Sequence, residues 1–218
     1  MTGRQETTAQ KSKPMRLAVS ILAPIALAAI SLFASPAEVV GQNRSAAREW
    51  SDLAKGRTEF EVSDPALVPS QLALAVQQSD CLDYELLIKR DPIRFVVLRD
   101  RRFAIVLCSV GPASNSHQLF DLSGRSNLEK PKPVRLPFLE QPDGFGTTPT
   151  PGAVTWKSET GVLVAESGSD NSFGRLRHTY RLGYLSMSFV VVRVEYRCAE
   201  CSKDEWKVIW DAPHWPSK

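Results

Sequence analysis

Short apolar runs, separated by clusters of Gly, Pro, Asn and Ser, fill the chain from Arg94 onward. β-Branched and aromatic residues dominate these runs, which is typical of strands joined by turns. Two runs meet across a charged turn at Asp100 and Arg101, and the second, residues 103–110, is apolar on both faces, so we expect an interior strand. Residues 131–152 are rich in proline and predict a long surface loop with one short strand. The pattern predicts a mainly β protein whose antiparallel meander forms a sandwich or barrel-like domain.

Helical periodicity precedes this region. Residues 45–56 carry an apolar stripe that ends at a glycine, which predicts a short helix. A second short helix has Pro69 near its start and Leu72 and Val76 at helical spacing. From Leu82 onward the period becomes that of strands. We therefore expect short N-terminal helices followed by strands.

The N-terminus has the form of a secretory signal. Basic residues precede a mainly apolar run without charges, Leu17–Phe33, and small residues follow it up to Ala37. We predict that residues 1–37 are a signal peptide and that residues 38–218 form a single exported domain, periplasmic or secreted. The alternative is a retained inner-membrane anchor, because the run just reaches the lower limit for a spanning helix, about 17 residues. An uncleaved signal is the one predicted contact with a membrane.

Charge excludes one class of partner. Removal of residues 1–37 removes four of the 27 basic residues and one of the 24 acidic residues, which leaves 23 of each. Whether translation starts at Met1 or at Met15 stays open. A nucleic-acid-binding protein needs a concentrated basic footprint, which a neutral mature chain does not suggest. We therefore predict no nucleic-acid partner.

Four cysteines in an exported chain predict disulfides. Pairing of Cys198 with Cys201 in a tight turn leaves Cys81 to pair with Cys108, which is one of three connectivities. A zinc site would need a second paired spacing, and a thioredoxin-like site would need the pair at a helix start; the sequence has neither. We predict no metal and no cofactor.

One face of a predicted hairpin is strongly basic. Strand alternation in residues 175–182 and 189–198 separates the side chains into two sets. The odd positions carry Arg175, Arg177, Thr179, Arg181, Arg193, Glu195 and Arg197. The even positions are mostly apolar: Leu176, His178, Tyr180, Leu182, Val190, Val192, Val194, Tyr196 and Cys198. Two interpretations stay open, a solvated sheet face or a platform for an anionic ligand, because arginine suits carboxylate and phosphate groups.

A last strand carries two tryptophans. Alternation predicts that Trp206, Val208 and Trp210 face one way and cover the apolar side of the preceding strand as core. The alternative is an exposed aromatic platform for a glycan or peptide.

The order of motifs from about residue 95 to residue 213 resembles a family of exported proteobacterial proteins known as a domain of unknown function. The resemblance rests on a strand ending in Cys, a proline-framed loop, a Tyr/Trp strand, and a closing Cys followed by a Trp strand: "FAIVLCSV", "VRLPFLEQPDGFG", "RHTYRL", "SFVVVRVEYRC" and "WKVIWDA". Relatives often carry a cysteine in the turn that corresponds to Ser167–Gly174, and this chain has none there. The resemblance implies an exported, β-rich protein and no mechanism.

Catalytic motifs are missing from the sequence. It has no GxSxG and no HExxH motif, and no catalytic partner lies at a recognisable spacing from His117, His178 or His214. His178 lies on an apolar strand face, and we expect it to be a core residue. The stretch Glu166–Ser172 reads as a hairpin loop because it lacks EF-hand spacing. We predict no catalytic residues and expect a non-catalytic binding or envelope-associated module with an anionic ligand or envelope protein as partner. The alternative is an extracytoplasmic enzyme whose site is assembled from distant residues.

Overall fold

The structure of the protein is a computed structural model that describes residues 50–79, 81, 84–111, 115–140, 144–169, 174–198 and 205–213. The predicted signal peptide and His214 lie outside these residues. Within the described part of the chain, no helix has the length and apolarity needed to span a membrane.

Two five-stranded antiparallel sheets and a separate hairpin form most of the fold, and none of them closes into a barrel. The first sheet has the order β1 (Glu59–Val62), β2 (Ile93–Leu98), β3 (Arg101–Val110), β4 (Asn115–Asp121) and β5 (Lys132–Pro133). The hairpin is β6 (Leu136–Glu140) and β7 (Gly144–Thr148). The second sheet has the order β12 (Lys207–Asp211), β11 (Phe189–Arg197), β10 (Gly174–Leu182), β9 (Val162–Ser169) and β8 (Ala153–Lys157). The predicted mainly β, antiparallel sandwich is confirmed.

Short helices precede and interrupt the first sheet. Residues 50–54 are helical, and Gly56, which follows in the turn after this helix, has a positive φ of 76°. Helix α1 spans Ser70–Gln78. Both helices were predicted. Two more, α2 (Tyr84–Arg90) and α3 (Gly124–Glu129), were not predicted. The expectation that strands begin at Leu82 is therefore wrong.

Both faces of the first sheet are buried. The helices pack on one face, where the ring of Trp50 meets the rings of Phe60 on β1 and Phe95 on β2, with the three centroids 4.9 to 5.7 Å apart. The second sheet packs on the other face. In β3, Ala104 points toward the helices and Phe103 toward the second sheet, so the strand is apolar on both faces because both are covered. The interior strand is confirmed, and its hairpin turns at Arg99 and Asp100, one residue earlier than expected.

A disulfide joins Cys81 to Cys108 and links the α1–α2 connection to β3. This pair belongs to one of the three connectivities that the sequence allows. Cys198 is also disulfide-bonded, and Cys201 lies outside the described residues.

The proline-rich stretch is more ordered than the sequence suggested. It contains the β6–β7 hairpin, where Leu136 is fully buried and the Pro137 carbonyl accepts a hydrogen bond from the Tyr180 hydroxyl at 2.9 Å. The expected long loop with one short strand is therefore wrong.

Candidate functional site

The second sheet has an outer face, defined here as the face that points away from the first sheet. Antiparallel pairing sets Arg175 opposite Arg197, Arg177 opposite Glu195, and Thr179 opposite Arg193. Residues that pair directly across antiparallel strands project to the same side. The alternation of β10 adds Arg181, so all five predicted arginines share the outer face. Their role in binding stays a prediction.

A bulge changes the partners at the far end of this strand pair. Thr179 pairs with Arg193 but Tyr180 pairs with Val191, so Val192 is an extra residue in β11. Beyond the bulge, Val190 lies opposite Arg181 on the outer face and is 40% exposed. The prediction that Val190 shares the inner face with Val194 is wrong, because simple alternation cannot foresee the added residue.

A second bulge separates the two tryptophans. The last strand, β12, pairs with β11 as expected, but Trp210 lies opposite Val194 and Val208 opposite Glu195, so Ile209 is extra. Trp210 therefore belongs to the inner side, where its ring meets Phe145 at 5.2 Å. Both tryptophans are half-buried. The prediction that they form a shared core face is wrong.

Trp206 lies under the arginines of the outer face. The Arg177 guanidinium carbon is 3.8 Å from the centroid of its ring and that of Arg197 is 5.2 Å away, both within the range of a cation–π contact. Arg177 also pairs with Glu166, Nε to Oε1 at 2.8 Å, and approaches Glu195 at 3.8 Å. These contacts fix the position of the Arg177 side chain.

An open cavity of about 670 Å³, which we call the basin, occupies this face. Its lining combines four cations, two acids, a hydroxyl and apolar side chains: Lys157, Arg177, Arg181, Arg193, Glu195, Asp211, Thr179, Val164, Val192, Ala212 and Pro213. Val164 is 7% exposed and forms part of its floor. An anion here would meet guanidinium and ammonium groups above an apolar surface, where charge interactions are screened less than in open water.

The two acids of the basin lie at one end. Asp211 accepts a hydrogen bond from Arg193 at 3.0 Å, and this bond, with the charge of Asp211, raises the pKa of the Arg193 guanidinium. At the other end, Lys157 and Arg181 have no ion-pair partner among the described residues. Both pair in register with Val162 on β9, one from each side, so they flank the same buried side chain. Uncompensated positive charge is therefore concentrated at this end.

Lys157 was not found by sequence reasoning. The short strand Ala153–Lys157 gives no basic cluster of its own, and only the register across β9 brings it near Arg181.

His117 joins the two sheets. Its Nε2 donates to Asp91 Oδ2 at 3.0 Å, while its Nδ1 accepts from the Val154 amide at 3.1 Å and its own amide donates to the Gly152 carbonyl at 2.9 Å. Because both ring nitrogens are engaged, the His117 imidazole has no lone pair available for proton abstraction. A cavity of about 240 Å³ lies beside it, but the hydrogen bonds indicate a structural role.

His178 is a fully buried core residue, as its strand face suggested. Its Nε2 accepts the Leu139 amide proton at 3.0 Å, and its ring stacks on Phe138 at 4.3 Å. Burial lowers the pKa of His178 to about 4. The ring is therefore neutral at physiological pH.

Among the described residues, side chains that could ligate a metal do not gather as a metal site would require. No group of three or more His, Cys, Asp or Glu side chains meets within the described ranges. The stretch Glu166–Ser172 was predicted to be a hairpin loop, which is wrong for residues 166–169, because they belong to β9. Glu166 is paired with Arg177, and residues 170–173 lie outside the described part.

Comparison with protein-family models, with curated proteins and with solved structures finds no match to this chain. The resemblance to an exported family of unknown function stays a prediction.

Proposed function

We propose that this protein is an exported binding module that holds an anionic ligand in the basin. The observation that carries the proposal is the coincidence of an open cavity with cations whose charge the neighbouring acids do not balance, at Lys157 and Arg181. The ligand groups that fit are carboxylate or phosphate oxygens, because guanidinium groups offer paired donors to them.

The form of the basin supports binding over a merely solvated sheet face. A charged face that only prevents edge pairing needs no depression and no apolar floor. Here Val164 and Val192 line the basin together with the cations, so a bound anion would lose part of its water and interact more strongly with Arg181 and Lys157.

Export is supported by the disulfide between Cys81 and Cys108, since such bonds persist in oxidising compartments. The signal-like N-terminus points the same way. We infer a periplasmic or secreted protein. The enzyme alternative is less well supported, because the His117–Asp91 pair has both ring nitrogens in hydrogen bonds.

The test is calorimetric titration of the protein, as recovered after export, with inorganic pyrophosphate and with citrate. We expect binding that weakens as salt is added. The double variant Lys157→Gln/Arg181→Gln should bind at least about ten-fold more weakly, since each lost charge-assisted contact is worth about 1.5 kcal/mol or more.

A matched control removes the same two charges elsewhere. Lys89→Gln/Arg90→Gln changes exposed residues at the end of α2, in the helical layer beyond the first sheet. Its affinity should equal that of the parent. Equal losses in both variants would mean that only net charge matters, and heat-silent titrations of the parent with both anions would contradict the proposal.

A further inference from the structure

Three turns lie together at one end of the sandwich. In the second sheet, residues 158–161 join β8 to β9 and residues 183–188 join β10 to β11, and the pairing of Arg181 with Val162 sets these turns at the same end. The β2–β3 turn of the first sheet lies beside them, because the Arg99 guanidinium carbon is 5.2 Å from the centroid of the Tyr184 ring.

The turn at residues 183–188, which we call the tip, projects two large side chains into solvent. Leu185 is 93% exposed and Tyr184 is 79% exposed, the two highest values among the large apolar side chains of the described chain. Burying apolar area is the main driving force of folding, so a protein rarely leaves two adjacent large side chains so fully exposed.

Hydrogen bonds within the tip hold it in this form. The Gly183 amide donates to the Ser188 carbonyl at 2.8 Å, and the Met187 amide donates to the Gly183 carbonyl at 3.2 Å. The Ser188 amide also donates to the Ser186 hydroxyl at 3.3 Å. The exposure of Tyr184 and Leu185 is therefore a property of a closed turn.

The uncompensated cations of the basin lie next to the tip. Arg181 is two residues before Gly183 on β10, and Lys157 begins the neighbouring turn. Val190, exposed and opposite Arg181, extends the apolar surface onto the outer face. The acids of these turns are Asp100 and Glu159, and neither forms an ion pair with Lys157 or Arg181 in the described part of the chain.

We propose that the tip inserts Tyr184 and Leu185 into an anionic lipid surface while Lys157 and Arg181 contact its phosphate headgroups. This inference rests on the proposed function, since it names the source of the anion. The chemistry is that of interfacial binding, in which an apolar side chain enters the acyl boundary, tyrosine lies at headgroup depth, and cations meet anionic lipid.

Two inserted side chains give weak, reversible binding, and so do two cations; the proposal requires both to act together. Binding should therefore depend on anionic lipid, fall with added salt, and fail when either the tip or the cations are removed.

The test is co-sedimentation of the full protein with vesicles of phosphatidylcholine alone and of phosphatidylcholine mixed with phosphatidylglycerol. We expect binding to the mixed vesicles. The variant Tyr184→Gln/Leu185→Gln should bind them at least about ten-fold more weakly, yet keep its affinity for pyrophosphate. The matched control, Leu74→Gln/Leu86→Gln, removes two exposed leucines from the helical layer and should bind like the parent.

The outcomes separate the two proposals. If the parent binds pyrophosphate but not mixed vesicles, the lipid inference is wrong and the proposed function stands. Loss of vesicle binding in the helical-layer control as well as in the tip variant would overturn the role of the tip. A parent that binds neither probe would contradict both proposals.

Discussion

Acidification should destabilise the protein through His178. In the folded state burial lowers the pKa of this imidazole from 6.5 to about 4. Between these values the unfolded chain binds a proton that the folded chain excludes, so the free energy of unfolding falls as the pH is lowered. Above pH 6.5 both states hold a neutral ring and the effect disappears.

The magnitude follows from the width of the window. One unit of pKa difference is worth about 1.4 kcal/mol, so the loss approaches about 3 kcal/mol at pH 4. A loss of this size is a large part of the 5 to 15 kcal/mol that is roughly typical of folded domains.

Urea unfolding at a series of pH values measures this loss, and His178→Gln isolates it. A glutamine amide oxygen can accept the Leu139 proton in place of Nε2 but does not titrate. Carboxylates protonate in both proteins, so the parent should lose about 3 kcal/mol more than the variant between pH 6.5 and pH 4. Parallel pH profiles for parent and variant would refute the reasoning.

Three further predictions concern the fold and its export. Replacing Cys81 and Cys108 together by alanine should destabilise the protein by about 3 to 4 kcal/mol, the loop-closure value for their separation of 27 residues; an unchanged urea midpoint would contradict this. Gly152→Ala should lower the melting temperature sharply, because φ is +102° and a Cβ would collide with the β9 backbone, whereas Gly146→Ala, with open space around it, should melt like the parent. N-terminal sequencing of exported protein should begin near Glu38, and a membrane species that retains Leu17–Phe33 would favour the anchor.

The periodicity of apolar residues predicted the layers of the fold, because side-chain burial determines which positions are apolar. β3 is apolar on both faces since helices cover one side and the second sheet covers the other. Helix α2 was missed because its stripe is short; Tyr84 and Ile88 are its two buried residues, one turn apart. A pattern of this length fits a helix or a strand equally well.

Strand alternation in the sequence predicted one part of the candidate site and missed the other. Alternation found the arginine face because β10 is regular from Arg175 to Thr179. It failed where an extra residue enters a strand, at Val192 and at Ile209, because a bulge reverses every later position and leaves no clear mark in the sequence. Lys157 could not be found either, because its proximity to Arg181 depends on the order of the strands in the sheet, and this order is set by long-range pairing.

The central claim is that the outer face of the second sheet binds an anion, and an NMR titration with pyrophosphate that follows the arginine Nε–Hε resonances tests it most directly. We predict saturable shifts at Arg181 and Arg193, which line the basin, and none at Arg90 or Arg125, which lie on helices outside it. Uniform shifts at all four arginines, or shifts confined to the helical ones, would contradict the account.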